Sequence, residues 1–303
     1  CLIINLMLST DSKTNPIKSP VVKLLALLSI VRWYNILLIT ISLYLTEIFI
    51  FNKDTSLFIT IQHPEIHLYT LSIVFLTMGG YLINAFYDFE KDLINHPETT
   101  YFGRLVSKKT CLNTYVILTI LGITLGALIS KKILLFNLLL AMGLWLYSHK
   151  LRKKPLTGEL SATFLTISCF IGLYVYNNLE PNKTLILFVT YLFTIDLTRE
   201  IIKKMVSLKG DLIVGEKSIP ILFGIKFTKY IILSQMIFSL LAIFTLLPTI
   251  IEKNIAYYFV IAVLIILFSI FLLNKSKSPS QFDKINTAYK LLLLLAIFSI
   301  MLY

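Results

Sequence analysis

Acidic residues are scarce in this chain, with 16 Asp and Glu against 28 Lys and Arg over 303 residues. Cysteine is scarcer. Cys1, Cys111 and Cys169 form no close-spaced pair, which argues against a disulfide scaffold and against a cysteine metal site. No polar stretch is long enough to be a separate soluble domain, because hydrophobic runs cover the whole length. Charged residues make up 15% of the chain and apolar ones 57%, and the mean hydropathy is +0.82. A soluble domain is about 45–50% apolar. These deficits leave a polytopic membrane protein. The net charge of +12 is then no nucleic-acid signal. In a membrane protein, surplus Lys and Arg marks loops kept on the cytoplasmic side.

A span needs about 20 mostly apolar residues. Hydropathy predicts nine, near 21–51, 68–89, 112–129, 132–148, 156–176, 183–203, 229–249, 255–274 and 286–303. Two connections, after the second and the sixth, are longer than a compact bundle needs and are expected to carry a task. With the N-terminus in the cytoplasm, the outer side receives only Lys53, Lys131, Lys132, Lys183 and Lys253, and the inner side the other 23 of 28 basic residues. This bias predicts an active face toward the cytoplasm, in the cell (inner) membrane. Residues 1–20 read as a polar tail, with Met7 as the expected start and no cleavable signal peptide, and residues 21–303 as one transmembrane domain.

The stretch NAFYDFEKD, 84–92, lies where the second run leaves oil. Asn84, Asp88 and Asp92 recur every four residues, so on a helix they drift only about 40° per step and line one face over about 12 Å. Two close carboxylates repel unless a cation lies between them. Oxygen ligands suit Mg²⁺, which keeps several waters and commonly bridges to phosphate. A solvated helix end with scattered acids, as Glu90 and Lys91 suggest, is the plainer alternative.

At this stretch the sequence resembles the UbiA superfamily of intramembrane prenyltransferases, which carry N-x-x-x-D-x-x-x-D at the inner end of the second of nine helices. Other segments resemble it in family order. Arg32-Trp33-Tyr34-Asn35 is similar to R-P-x-N, with Trp33 for Pro, and Asn95-His96-Pro97 to N-R-P, with His96 for Arg. Residues 146–152 (LYSHKLR) and 155–158 (PLTG) are similar to Y-S-x-x-L-K-R…P-L-x-G. Thr198-Arg199-Glu200-Ile201-Ile202-Lys203, with Gly210-Asp211 and Ser218-Ile219-Pro220, is similar to R-E-I-x-K-D-x-x-D-x-x-G-D…T-L-P. The form of that second motif is nearest the branch that moves a geranylgeranyl group to a hydroxyl of geranylgeranylglyceryl phosphate. Branches that prenylate aromatic acids on quinone pathways are not cleanly separated from it.

The resemblance implies an all-α bundle of nine transmembrane helices around a central cavity. It implies Mg²⁺ on Asn84, Asp88 and Asp92, a prenyl diphosphate donor, and a lipid or aromatic acceptor. It implies substrate contacts from Arg32, Asn35, Arg104, Tyr147, Lys150, Arg199 and Lys203, with Lys204 and Asp211 completing the catalytic set. Phe86, Tyr87, Tyr81 and Tyr147 are candidates for π faces beside an allylic cation, which needs a dry cavity. Lys108 and Lys109 read as ordinary inward-facing charge.

Two departures stand out. The family's second motif supplies carboxylates where this chain has Lys204 and Ser207, leaving Asp211, and the first motif has Ala85 as its second residue. An ammonium contributes the same net +1 as a carboxylate with its metal, so Lys204 can stand in for that pair beside a diphosphate. A non-catalytic isoprenoid-binding relative is the alternative. Asp196, one turn before Arg199, either pairs with it or orients the acceptor hydroxyl. A transporter would place ionisable groups near mid-membrane on broken helices; here the charged clusters mark the inner ends of spans, and mid-span proline is scarce.

Overall fold

The computed structural model describes residues 20–95, 106–179, 182–215 and 217–303, with side chains for all of these except 20–23, 89–95 and 214. Among them there is no strand. In a bilayer each backbone N–H and C=O must be satisfied inside its own segment, and the helix does this.

The helices are α1 (Pro20–Ile30), α2 (Trp33–Thr46, continued by a π turn Glu47–Phe51), α3 (Leu57–Gln62), α4 (Pro64–Asn95), α5 (Lys108–Ile129), α6 (Lys131–His149), α7 (Thr157–Asn177), α8 (Lys183–Val206), α9 (Leu208–Val214), α10 (Ile219–Ile250), α11 (Ala256–Lys275) and α12 (Pro279–Ser299). Among the described residues, eight segments are long and apolar enough to cross a membrane. α8 has the length, but Asp196, Arg199 and Glu200 fall within its apolar run.

The long helices lie where hydropathy placed the spans, with differences that have physical causes. The first span is not continuous. It breaks at Arg32, which takes a left-handed backbone (φ 53°, ψ 58°), so α1 and α2 meet at an angle. The second runs six residues past the expected 89 as a charged helix end. The seventh starts ten residues earlier than expected, with a break at Gly224 (φ 81°, ψ 162°) that glycine tolerates. Both long connections are therefore shorter than expected, and the second contains α9.

Two halves share the core. One is built by α2, α4, α6 and α7 around Leu43, Tyr69, Ile73 and Leu173. The other is built by α8, α10, α11 and α12 around Tyr191, Ile232, Phe259 and Tyr289. Contacts of α7 with α8 and of α12 with α2 close them into a ring. Small and polar residues bring α4, α5 and α6 together. A Cβ on Gly122 would meet Leu76 at 2.7 Å, and one on Gly126 would collide with Asn137. The space they leave lets Asn137 Nδ2 donate to Ser72 Oγ (2.6 Å) and to the Gly122 carbonyl (3.0 Å). Such close small-residue packing with interhelical hydrogen bonds is how membrane helices associate without a hydrophobic drive.

The lysines assigned to the outer side share an end. Lys53 and Lys253 both lie over the Tyr303 ring, at 5.9 and 3.4 Å. At that end Glu47 is buried and accepts from Asn52 and Asn177, each at 2.8 Å, which ties the π turn to α7. A narrow crevice among Leu185, Phe188, Leu246 and Phe259 also lies there, and a second lies at the opposite end. The central cavity expected from the resemblance is not one of these two crevices.

Candidate active site

α4 carries the first motif out of the bundle. Asn84 and Asp88 are one turn apart toward its C-terminal end, and Asn84 Nδ2 donates to Asp88 Oδ2 at 3.2 Å. Their other oxygens converge on one cationic nitrogen. Arg152 Nη1 donates to Asn84 Oδ1 at 3.2 Å and forms an ion pair with Asp88 Oδ1. The pair is largely shielded, with the Arg152 and Asp88 side chains 13% and 11% exposed. The third member, Asp92, has its side chain outside the described residues, as does Arg104 entirely. Among the described residues no three His, Cys, Asp or Glu side chains gather.

Arg152 was not among the expected contacts; Lys150, two residues earlier, was. Lys150 is exposed at the C-cap of α6. The chain then makes a 3-10 turn, Leu151–Lys153, before α7. Gly158 in the first turn of α7 presses on that turn. A Cβ there would lie 2.9 Å from the Arg152 carbonyl oxygen and 3.2 Å from its Cα. The PLTG segment thus acts as a backstop that fixes where Arg152 starts. The signal was in the quoted motif, whose final basic residue is Arg152.

Above this face, Asn35 Nδ2 donates to the Tyr81 hydroxyl at 3.1 Å, and the Arg32 guanidinium carbon lies 5.7 Å from the Tyr81 ring centre. The break at Arg32 therefore delivers both R-P-x-N-like residues to α4. Tyr147 is half-buried near the end of α6, and Tyr87 Oη lies 3.2 Å from His149 Nδ1. Arg32 is close enough to Lys203 for their charges to interact, which links α2 to the second motif.

That second motif is internally neutralised. Arg199 Nη1 reaches Asp196 Oδ1 (3.4 Å) and Glu200 Oε1 (3.5 Å). Lys203 Nζ donates to both Glu200 oxygens at 2.7 Å. The expected Asp196–Arg199 pairing is present, while Asp196 Oδ2 is buried with no hydrogen-bond partner. Lys204 lines the inner crevice together with Arg152, and Glu159 lies close enough for its charge to interact with Lys204. Ser207 Oγ donates to Asp211 Oδ2 at 3.2 Å, and Asp211 is fully buried on α9, which packs against α4.

Residues 56–300 match the model of the UbiA prenyltransferase family. The chain belongs to that family. As a UbiA family member it is a membrane prenyltransferase. A protein named digeranylgeranylglyceryl phosphate synthase from Methanobrevibacter smithii is 33% identical over 241 residues, 75% of this chain and 82% of that one. A solved structure described under digeranylgeranylglyceryl phosphate synthase in membranes superposes with a TM-score of 0.71 at 21% identity, covering 92% of this chain and 97% of that one. A UbiA homologue from Archaeoglobus fulgidus, solved with DMAPP and Mg²⁺, gives a TM-score of 0.65 at 16% identity and covers 91% and 98% of the two chains. At these identities both structures speak to the fold, which is shared.

Proposed function

We propose that this UbiA family protein transfers a geranylgeranyl group from its diphosphate to the hydroxyl of a lipid acceptor, with Mg²⁺ at the inner end of α4. The observation that carries the reading is the convergence of Asn84 Oδ1 and Asp88 Oδ1 on a single cationic nitrogen. Two hard oxygens one turn apart, already holding one positive centre, fit a small divalent cation. Asp92, one turn further along the same spacing, is the third donor proposed. Bound there, Mg²⁺ supplies Lewis acidity and neutralises charge on the leaving diphosphate.

The protein's own groups do the rest. Asn84 and Asp88 orient the diphosphate end of the donor through that cation. Arg152 then turns from the carboxylate to the phosphate oxygens, where its planar fork matches two acceptors at once. Arg32 and Arg104 add charge from the α1–α2 break and from the loop after α4. Tyr81, Phe86, Tyr87 and Tyr147 offer π faces to the allylic carbon and keep water from it. The allylic C–O bond breaks with its electron pair leaving on diphosphate, the acceptor oxygen bonds to that carbon, and the hydroxyl proton is released. Lys204, where the family pattern has a carboxylate, brings positive charge to phosphate without a second metal. The name of the Methanobrevibacter smithii relative favours a glycerol-phosphate lipid acceptor over an aromatic one. The basic residues that flank the inner end support a cytoplasmic orientation for it.

A non-catalytic reading draws on one observation, the self-paired Asp196, Arg199, Glu200 and Lys203 of α8. One assay decides. Membranes holding the protein are supplied with radiolabelled geranylgeranyl diphosphate and geranylgeranylglyceryl phosphate, with Mg²⁺ or with EDTA. Mg²⁺-dependent label in a new lipid supports transfer. Donor binding without turnover supports the other reading.

A further inference from the structure

A closed crevice at the inner end, whose flexible lysines must swing apart to admit a ligand, gathers positive charge from three segments. The turn after α6 contributes Arg152, Lys153 and Lys154, the inner end of α8 contributes Lys204, and the residues before α10 contribute Lys217. Among the described lining residues the one carboxylate is Glu159, and Arg152 is also paired with Asp88 outside the lining. Such a lining is wrong for a metal and right for an anion bound directly.

Two polar atoms in the same lining are buried without a hydrogen-bond partner. They are Ser218 Oγ and Glu159 Oε2, each on a residue 3% exposed. Ser218 precedes the short helical run Ile219–Phe223 that ends at the Gly224 break, and its side chain makes no capping bond. Its hydroxyl is therefore an unused donor in the crevice lining. Glu159 offers the opposite, an acceptor among donors. A buried polar group left unsatisfied costs about 1–3 kcal/mol, so both atoms favour a ligand that satisfies them. A phosphate next to a free hydroxyl does so, since its oxygens take the lysines and Ser218 while the hydroxyl donates to Glu159. An aromatic carboxylate brings less charge and no such hydroxyl.

We propose that this crevice binds the phosphate of the lipid acceptor, a phosphomonoester with a neighbouring hydroxyl, as a second anion subsite apart from the donor face on α4. The proposal rests on the reading of the chain as a prenyltransferase with a lipid acceptor. Arg152 is the shared wall, because it touches Asn84 and Asp88 and also lines the crevice. An acceptor anchored there brings its hydroxyl toward the donor carbon without metal on the acceptor side. Lys204 then serves the acceptor phosphate, which accounts for a lysine where the family pattern has a metal-binding carboxylate.

The test uses the purified full chain in nanodiscs, with geranylgeranyl diphosphate as donor and either geranylgeranylglyceryl phosphate or the same lipid without its phosphate as acceptor. The variants are Lys217→Gln, at an exposed position, and Ser218→Ala. Each should raise KM for the phosphate acceptor about tenfold, the size of a lost charge-assisted hydrogen bond, and leave KM for the donor within about twofold. The acceptor lacking phosphate should respond to neither variant. Glycerol phosphate should compete with the acceptor and not with the donor. A raised donor KM would mean that the crevice holds the donor's diphosphate, and unchanged KM values would mean that it holds neither; both overturn the proposal. If the unaltered protein transfers to neither acceptor, the enzyme reading fails instead. Equilibrium binding of radiolabelled geranylgeranylglyceryl phosphate then decides the crevice, which requires weaker binding in Lys217→Gln.

Discussion

The C-terminal ends of α4 and α8 belong to different halves of the ring, and they treat charge in opposite ways. On α4 the oxygens of Asn84 and Asp88 point at a common spot held by a side chain from another segment, Arg152. On α8 the charges close on themselves, since Asp196, Arg199, Glu200 and Lys203 pair within two turns of one helix. A site that must exchange one cation for another needs the first arrangement. A site that only holds a fixed potential is served by the second. On the proposed reading, metal chemistry belongs to the α4 side, and the α8 side acts through lysine.

The largest test of that asymmetry removes the α4 carboxylate. Asp88→Ala should lower transfer by about 10³-fold or more, on the scale of losing a metal's Lewis acidity and charge stabilisation. Circular dichroism and the melting curve should change little. Retained turnover would falsify the α4 site. Arg152→Gln comes next. Its nitrogen stands on the same two oxygens that the metal would use, so the variant should bind Mn²⁺ more tightly by electron paramagnetic resonance titration. It should still turn over about 10²-fold more slowly, for want of a positioned phosphate contact. If Mn²⁺ affinity falls, the arginine supports the metal site rather than competing for it. Lys204→Ala probes the opposite side and should cost about 10–100-fold at saturating Mg²⁺. Full activity there would remove lysine from the mechanism.

Most of this plan was legible before any fold was known. The spacing of Asn84, Asp88 and Asp92 and the hydropathy of the spans fix where the helices run, because a period of four and a run of twenty are properties of the chain alone. The partner of Asp88 was not legible in that way. Arg152 lies 64 positions away, and only its place at the end of the LYSHKLR segment sets it apart from Lys150, Lys153 and Lys154. Its selection depends on a 3-10 turn and on a close approach by Gly158, both tertiary facts. The break at Arg32 was hidden for a related reason, since hydropathy measures oil and is blind to one residue in a left-handed backbone. The crevice at Lys204 was equally invisible, because its lining comes from four segments that no sequence window spans.

That selection of Arg152 can be tested through its backstop. In Gly158→Ala the new methyl meets the Arg152 carbonyl at 2.9 Å, backbone against helix, so the turn must shift. Donor KM should rise about tenfold, within the range expected when a catalytic group is misplaced by under an ångström. Stability should fall by about 1–3 kcal/mol from overpacking. A variant with unaltered KM would show that Arg152 holds its place by its ion pair alone.

The smallest effect is expected far from either inner end, and it isolates scaffold from site. Asn137 is fully buried, and its Nδ2 bridges Ser72 of α4 and the Gly122 carbonyl of α5. Asn137→Ala removes both bonds and leaves a small gap beside Gly126. Interhelical hydrogen bonds in membranes average only about 0.6 kcal/mol, because the separated helices find other partners in the bilayer. The loss should therefore stay near 1–2 kcal/mol of unfolding free energy in a denaturant titration, with both substrate KM values unchanged. The contrast with Gly158→Ala is informative because both changes act on packing in the same half of the ring. If Asn137→Ala alters donor KM as Gly158→Ala does, then α4 moves as one body with its inner end, and Asn84 and Asp88 owe their convergence to the whole helix stack. If only Gly158→Ala does so, the arrangement is set locally, by one turn, one glycine and one arginine.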